Sequence, residues 1–441
     1  MTAAQMKSIK VGLLGIGTVG GGTFNVLRRN QEEIRGRAGR GIEIACVADL
    51  DVERARKIVG DACPVVADAR EIIKNPEIDI VVELIGGYGI AKTLVLEAIA
   101  AGKHVVTANK ALLAVHGTEI FAAAHAKGVM VGFEAAVAGG IPIIKALREG
   151  LTANRIEWVA GIINGTTNFI LSEMRSKGAS FADVLKEAQR LGYAEADPTF
   201  DIEGVDAAHK VTLLSAIAFG IAVQFDKAHV EGITQLQAAD IKYAEQLGYR
   251  IKLLGIARRR EQGIELRVHP TLIPSTRLIA NVEGAMNAVV VQADAVGTTL
   301  YYGKGAGSEP TASAVVADLV DITRLATADP EHRVPHLAFR PDAMSSLPIL
   351  PMADVRTSFY LRLCVADEAG VLSKITTTLA ENDISIDAVL QRESADGEKQ
   401  TDLIILTHET VEGRMNKALA LMQALPSVLA PIVKLRKEEL A

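Results

Sequence analysis

Cysteine is scarce: only Cys46, Cys63 and Cys364 occur in 441 residues, and no two stand at CxxC spacing. That excludes a disulfide framework and a Cys/His zinc site, and it suits a reducing compartment, so a cytoplasmic protein is expected. Aromatics are few as well, at 4 % of a chain that is 49 % apolar. Basic residues are not in excess: 47 Lys and Arg face 53 Asp and Glu, for a net charge of -6. A nucleic-acid binder would normally carry a basic face, so no nucleic-acid partner is expected. No apolar run is long enough for a bilayer. The greasiest, Val211–Phe225, is too short and carries Thr212 and Ser215, which leaves no membrane role. The N-terminal apolar residues run into a glycine motif instead of a small-residue cleavage site, so they read as a strand and not as a signal peptide. Internal repeats and low-complexity segments are lacking too.

What is present is length for two or three domains and one dense polar stretch. Leu191–Lys210 reads LGYAEADPTFDIEGVDAAHK and packs Glu195, Asp197, Asp201, Glu203, Asp206 and Lys210 together ahead of an apolar helix pattern. At helical pitch Asp206 and Lys210 share one face, one turn apart. Burial at the mouth of an apolar helix lowers a lysine's pKa, whereas nearby carboxylates raise it, and such a lysine can be poised for proton transfer. The alternative is an ordinary i,i+4 pair on a solvated face.

The chain opens with an apolar run, Ile9–Leu14, then Gly15-Ile16-Gly17-Thr18-Val19-Gly20, then a helix pattern. Strand, GxGxxG and helix in that order is the context a dinucleotide fingerprint requires. Gly15 permits the tight turn, Gly17 lets the backbone approach a pyrophosphate, and Gly20 lets helix and strand pack closely. The helix N-terminus then offers its free N–H groups to the phosphates. Asp49, at the end of a second strand Ile42–Ala48, is placed to accept ribose hydroxyls, which leans the cofactor toward NAD; Arg54 and Arg56 nearby leave NADP open. The spacing to Asp49 is long because Gln31–Gly41 reads as an inserted loop. The other reading of Asp49 is a turn or cap aspartate. Strand and helix patterns then alternate through Phe133, which implies a doubly wound parallel sheet. Ile85-Gly86-Gly87 and Thr107-Ala108-Asn109-Lys110 fall at two strand ends, so Lys110 faces a ligand or simply starts a helix.

Glu134–Pro142 is a small-residue crossover out of this unit. A strand then leads into Asn164-Gly165-Thr166-Thr167-Asn168, a turn and helix cap by propensity, with binding of a small polar substrate as the other reading of this loop. Strand-like runs at Lys252–Arg259, Ile264–Leu272, Ala288–Asp294 and Val296–Gly303 suggest an α+β unit. Gly305-Ala306-Gly307 precede a further helix, a second glycine turn of the cofactor-contact kind. Asp329–Asp354 is broken by prolines and reads as a linker. Beyond it, Phe359–Val365, Val371–Glu381, Ile384–Gln391, Asp402–Thr407, Val411–Leu425 and Val428–Leu435 alternate as β-α-β-β-α-β, an interaction or sensing module.

GLLGIGTVG, TANKALLA, EAAVAGGIPI, GIINGTTNFIL and LGYAEADPTFDIEGVDAAHK occur in this order over the chain. Together they resemble homoserine dehydrogenase, in its monofunctional form with a C-terminal ACT domain. The resemblance implies a Rossmann-type α/β domain at residues 1–135, completed by about 303–328. An α+β substrate domain at 136–302, a linker at 329–355 and a βαββαβ ACT domain at 356–436 would follow. It implies reversible NAD(P)-dependent reduction of L-aspartate 4-semialdehyde to L-homoserine, on the way to threonine, methionine and isoleucine.

The resemblance also assigns roles. Lys210 matches the proton-donating lysine. Glu195 and Asp206 match the holders of the substrate amino group, and Asp201 either tunes Lys210 or binds substrate. Gly192 and Gly307, or Gly305 in place of the latter, match backbone contacts to the cofactor, and Lys110 a lysine beside nicotinamide and substrate. Glu134, Val137, Gly139 and Ile141 fall where the family holds a structural sodium ion. The ACT unit implies an amino-acid effector, threonine foremost, or dimerisation, and the enzyme is expected as a homodimer or homotetramer. Two other readings stand beside this one: a non-catalytic nucleotide and amino-acid sensor, and a dehydrogenase of another small amino-aldehyde.

Overall fold

The computed structural model describes residues 7–391 and 399–440. The chain divides into two compact units. Met1–Val159, Ala208–Asp226 and Met286–Ser346 form the first; Ala160–Ala207, Lys227–Ala285 and Leu347–Ala441 form the second. Among the described residues no helix is long and apolar enough to cross a membrane.

The first unit is built on six parallel strands: β1 (Ile9–Leu14), β2 (Ile42–Ala48), β3 (Val65–Val66), β4 (Ile80–Glu83), β5 (His104–Thr107) and β6 (Val131–Gly132). Their order is β3-β2-β1-β4-β5-β6. All four residues of β4 are buried, and β1 leaves only Lys10 part-exposed, the unbroken burial expected of a parallel sheet covered on both faces. The strand order reverses beside β1, and the carboxyl ends of β1 and β4 are therefore where a ligand crevice belongs. Helix Ser308–Leu325 lies far off in sequence but shares this core: Ala312, Val315 and Leu319 pack in one cluster with Leu13, Phe24 and Val82. Its approach to helix Thr18–Arg29 is close, since a Cβ on Gly22 would stand 2.5 Å from Ser308 Oγ.

One expectation is corrected here. Gln31–Gly41 is not a loop, because Gln31–Ala38 is helical and ends at Gly39 in the left-handed region, φ 82°. Ile34 and Ala38, four apart, are its buried face, and Glu33 pairs with Arg37 across one turn. Gly36 and Gly39 masked a pattern that these spacings support. The stretch read as a linker starts at Asp329. It makes short 3-10 turns at Pro330–His332 and Pro341–Ala343 and covers the open edge of β6. His336 Nε2 accepts the Val131 N–H at 3.1 Å, and its ring stacks on Phe121. Burial drives the His336 pKa down to about 4, which keeps that nitrogen an acceptor. An edge strand left bare would invite pairing with another chain.

In the second unit Tyr249–Arg259 and Ile264–Pro274 pair antiparallel along their whole length. Arg356–Ala366, Ile386–Gln391, Gln400–Thr407 and Val433–Lys437, with helices Val371–Glu381 and Glu412–Gln423, give the βαββαβ module. Phe359, Leu361, Leu363 and Val365 alternate along the first of these strands into the module's core. Val433–Lys437 belongs to two neighbours. It is antiparallel to Arg356–Ala366 and parallel to Ile264–Pro274, through Thr271↔Arg436 and Leu272↔Lys437. The module's sheet is thus continuous with the larger one.

That junction is ionic as well as hydrogen-bonded. Arg267 is fully buried and donates to Glu265 at 2.9 Å and to Glu438 at 2.6 Å. Burial opposes the Glu438 charge, but Arg267 and Arg258 outweigh it and hold the carboxyl at about 2. A carboxylate with a depressed folded-state pKa stabilises the protein fully above its ordinary value and loses that contribution as pH falls through the lowered one. Stability should therefore drop between roughly pH 4.5 and pH 2. Glu438→Gln should show a shallower acid dependence of its thermal midpoint over the same window.

Candidate active site

The glycine loop after β1 gives each glycine a distinct task. Gly15 has φ 91°, and a Cβ there would lie 2.9 Å from the Leu84 carbonyl oxygen. A Cβ on Gly20 would come within 2.1 Å of the Gly15 oxygen, so only glycine lets the helix start this close to the strand. Around Gly17 there is open space. A phosphate can approach the backbone there, at the positive end of helix Thr18–Arg29. Gly20→Ala should cost about 1–3 kcal/mol through overpacking, seen as a lower thermal midpoint together with weaker dinucleotide binding by titration.

Asp49 directly follows β2 and ties this loop down. Its Oδ2 accepts the Ile16 N–H at 2.8 Å and Oδ1 the Asp51 N–H at 2.9 Å, with Arg54 Nη2 at 3.4 Å. The helix cap that follows is Asp51, not Asp49. Gly15, Gly17, Asp49, Arg54, Leu84 and Ile90 border a cavity of about 440 Å³. The residues present thus fit a dinucleotide. On the far side of the switch point Glu83 is wholly buried. It accepts the Ile85 and Gly86 N–H groups at 2.8 and 3.1 Å and the Thr107 hydroxyl at 2.7 Å. Asn109 caps helix Lys110–Lys127 through the Leu112 N–H, which puts Lys110, half-buried, on the first turn. Sequence reasoning missed Glu83. The signal was an acid closing an otherwise apolar strand, IVVE.

The acidic stretch assembles around Asn164, in the loop read by propensity as a turn and helix cap. Asn164 caps helix Gly165–Lys177 by accepting the Thr167 N–H at 2.8 Å. Its Nδ2 donates to both Asp201 Oδ1 at 2.7 Å and Asp206 Oδ2 at 2.8 Å. Thr166 Oγ1 lies 2.9 Å from Asp201 Oδ2 and 2.8 Å from the Tyr193 carbonyl oxygen, and its single proton serves one of these two acceptors. Asp201 and Asp206, on consecutive helices, are so held as one carboxylate pair. Asp206 is in the first turn of helix Val205–Phe219, where Lys210 follows one turn later with 8 % of its surface exposed. His209 turns elsewhere and meets the Phe225 ring edge-on at 4.3 Å. Glu195 and Gly192 lie on the exposed turn before this cluster, Gly192 at φ 77°. There the Glu195 carbonyl accepts Gln189 Nε2 at 3.1 Å, and its carboxylate stands outside the Asn164 network.

Glu134, Val137, Gly139 and Ile141 are all buried in a tight turn, with Ala138 and Gly139 at φ 56° and 48°. The Glu134 carboxylate accepts the Ile144 and Lys145 N–H groups at 2.9 and 2.8 Å. Burial foremost, then Asp318, pushes its pKa up to about 8. The side chain is thereby occupied, and main-chain carbonyl oxygens are what this turn can offer a hard cation. No group of three His, Cys, Asp or Glu suited to a metal occurs among the described residues.

Comparison with known proteins decides the family. A homoserine dehydrogenase of Pseudomonas aeruginosa is 63 % identical over 435 residues, 99 % of this chain and 100 % of that protein. The chain belongs to the homoserine dehydrogenase family. Family models agree segment by segment: Homoserine dehydrogenase, NAD binding domain, matches residues 15–134; Homoserine dehydrogenase matches 142–320; ACT domain matches 359–426. A solved homoserine dehydrogenase from Thiobacillus denitrificans superposes with TM-score 0.95 at 67 % identity and covers 99 % of each chain. One from S. aureus reaches 0.76 at 32 % identity, covering 98 % of this chain and 99 % of that one. A homoserine dehydrogenase is an NAD(P)-dependent oxidoreductase, and this member carries the nucleotide, substrate and ACT parts in one polypeptide.

Proposed function

We propose that this chain interconverts L-homoserine and L-aspartate 4-semialdehyde, with Lys210 as the proton-transferring group and Asp206, Asp201 and Glu195 as the substrate's partners. The observation that carries the reading is the Asn164-bridged carboxylate pair one helical turn ahead of a buried lysine. The nicotinamide cofactor supplies the hydride when bound. The protein then has two tasks: to hold the amino acid in register, and to move one proton at the reacting oxygen. Asp201 and Asp206 suit an ammonium group through charge-assisted hydrogen bonds. Lys210 Nζ gives its proton to the nascent alkoxide in reduction and takes it from the hydroxyl in oxidation.

The cofactor contacts in this reading are Gly15, Gly17, Thr18, Val19, Gly20, Asp49, Lys110, Gly192 and Gly307. Asp49 favours NAD, since its carboxylate disfavours a 2′-phosphate, while Arg54 beside it leaves NADP usable. The carbonyls of Glu134, Val137, Gly139 and Ile141 hold a sodium ion. Residues 1–135 with about 303–328 bind nucleotide, 136–302 bind substrate, and 356–436 regulate. Threonine is the effector proposed for the ACT module, with Gly370, at φ 89°, opening the turn where a ligand meets backbone. The enzyme works in the cytoplasm as a homodimer or homotetramer.

The test is homoserine oxidation by the purified protein with NAD and with NADP, each with and without threonine. Activity with both cofactors, faster with NAD and slowed by threonine, is expected. No NAD(P)-linked oxidation of homoserine would leave a nucleotide and amino-acid sensor. Turnover of other amino-alcohols in preference to homoserine would reassign the substrate.

A further inference from the structure

Arg436 lies on the C-terminal strand Val433–Lys437 and is 1 % exposed. Its guanidinium grips two carboxylates from two different parts of the second unit. Toward the ACT module, Nε and Nη2 donate to Glu412 Oε2 and Oε1 at 2.9 and 2.6 Å. Glu412 is the first residue of helix Glu412–Gln423, and Lys434 binds it too. Toward the substrate region, Nη1 and Nη2 donate to Glu231 Oε2 and Oε1 at 2.7 and 2.9 Å. Both contacts are bidentate, the geometry in which a guanidinium fixes direction as well as distance.

Glu231 is in turn packed against the acidic stretch. A Cβ on Gly232 would stand 2.3 Å from the Ile202 carbonyl oxygen and 2.5 Å from Glu203 Cα, so backbone meets backbone there. The Ile233 N–H donates to that same Ile202 oxygen at 2.8 Å. Gly204, at φ 82°, has the Glu231 carbonyl oxygen 3.3 Å from where its Cβ would be. The turn between Asp201 and Asp206 therefore rests on the segment whose only acidic side chain Arg436 holds.

We propose that Arg436 is a positioning residue for the substrate carboxylates. It links the start of the ACT helix Glu412–Gln423 to the Asp201–Asp206 turn through Glu231. The inference rests on the reading that Asp201 and Asp206 hold homoserine.

The test compares Arg436→Met, Glu231→Gln and Lys434→Met in the full-length protein. Lys434 shares Glu412 but makes no contact with Glu231, so its loss is the control for merely weakening the ACT helix. Arg436→Met should raise the homoserine KM by up to about a hundredfold, the loss that a misplacement of about 1 Å caused from far off can produce. The dinucleotide KM should stay unchanged. Glu231→Gln should move the homoserine KM in the same direction, and Arg436→Lys should recover part of the loss. Lys434→Met should leave both KM values in place. If Arg436→Met does not fold, Glu231→Gln decides. A homoserine KM unaltered in a variant whose thermal midpoint falls, or a parallel rise in both KM values, overturns the link. Wild-type protein inactive on homoserine would instead sink the functional reading beneath it.

Discussion

Lys210→Ala is expected to lower turnover by about 10²–10⁴-fold, the usual worth of a positioned proton-transfer group, while dinucleotide binding stays nearly intact. The residue has only 8 % of its surface exposed at the start of a helix whose next residues, Val211 through Phe219, are buried. A lysine held only by a surface ion pair would contribute little, and its loss would leave turnover unchanged. Lys210→Arg separates charge from proton transfer. Arginine keeps the positive charge and much of the length but does not give up its proton near neutrality. It should therefore fail nearly as badly as alanine. An arginine variant with wild-type turnover would show that Lys210 acts by charge alone, and the proton role would be withdrawn.

Legibility in the sequence followed how local each signal was. The glycine loop follows directly on β1, so pattern and spacing were enough to place them. The βαββαβ order of the ACT module was readable for the same reason: Phe359, Leu361, Leu363 and Val365 alternate within one strand. The helix Gln31–Ala38 was hidden because Gly36 lowers helix propensity, whereas the buried Ile34 and Ala38 override it through packing. Asn164 was read as part of a tight turn and is in fact the helix cap, and its two donated hydrogen bonds reach 37 and 42 residues along the chain. Propensity is silent about such pairings. Arg436 and Glu231 are 205 apart, and the continuity of the ACT sheet with Ile264–Pro274 depends on a strand that reads only as the end of a closed module. The acids of Leu191–Lys210 could be counted from the sequence, but which of them converge could not. Asp201 and Asp206 do, while the Glu195 carboxylate lies on the exposed turn.

That difference among the acids sets up the second large effect. Asp206→Asn keeps the shape and still offers an oxygen to Asn164 Nδ2, now 2.8 Å away, but it removes the charge proposed to pair with the substrate ammonium. Removing one partner of a buried, hydrogen-bonded charge pair costs about 2–5 kcal/mol. At about 1.4 kcal/mol per tenfold, kcat/KM for homoserine should fall at least about thirtyfold, with the dinucleotide KM unchanged. The sharper readout is selectivity. 4-Hydroxybutyrate is homoserine without its amino group, so it never gains from this carboxylate. Wild type should discriminate strongly between the two alcohols, and Asp206→Asn should narrow the gap mainly by losing homoserine. Glu195→Gln should narrow it less, because an exposed carboxylate is well screened by water. Equal losses on both alcohols would mean that Asp206 supports the fold of the site and not the ammonium. A larger effect at Glu195 than at Asp206 would mean that the exposed turn closes over the substrate and supplies the principal contact itself.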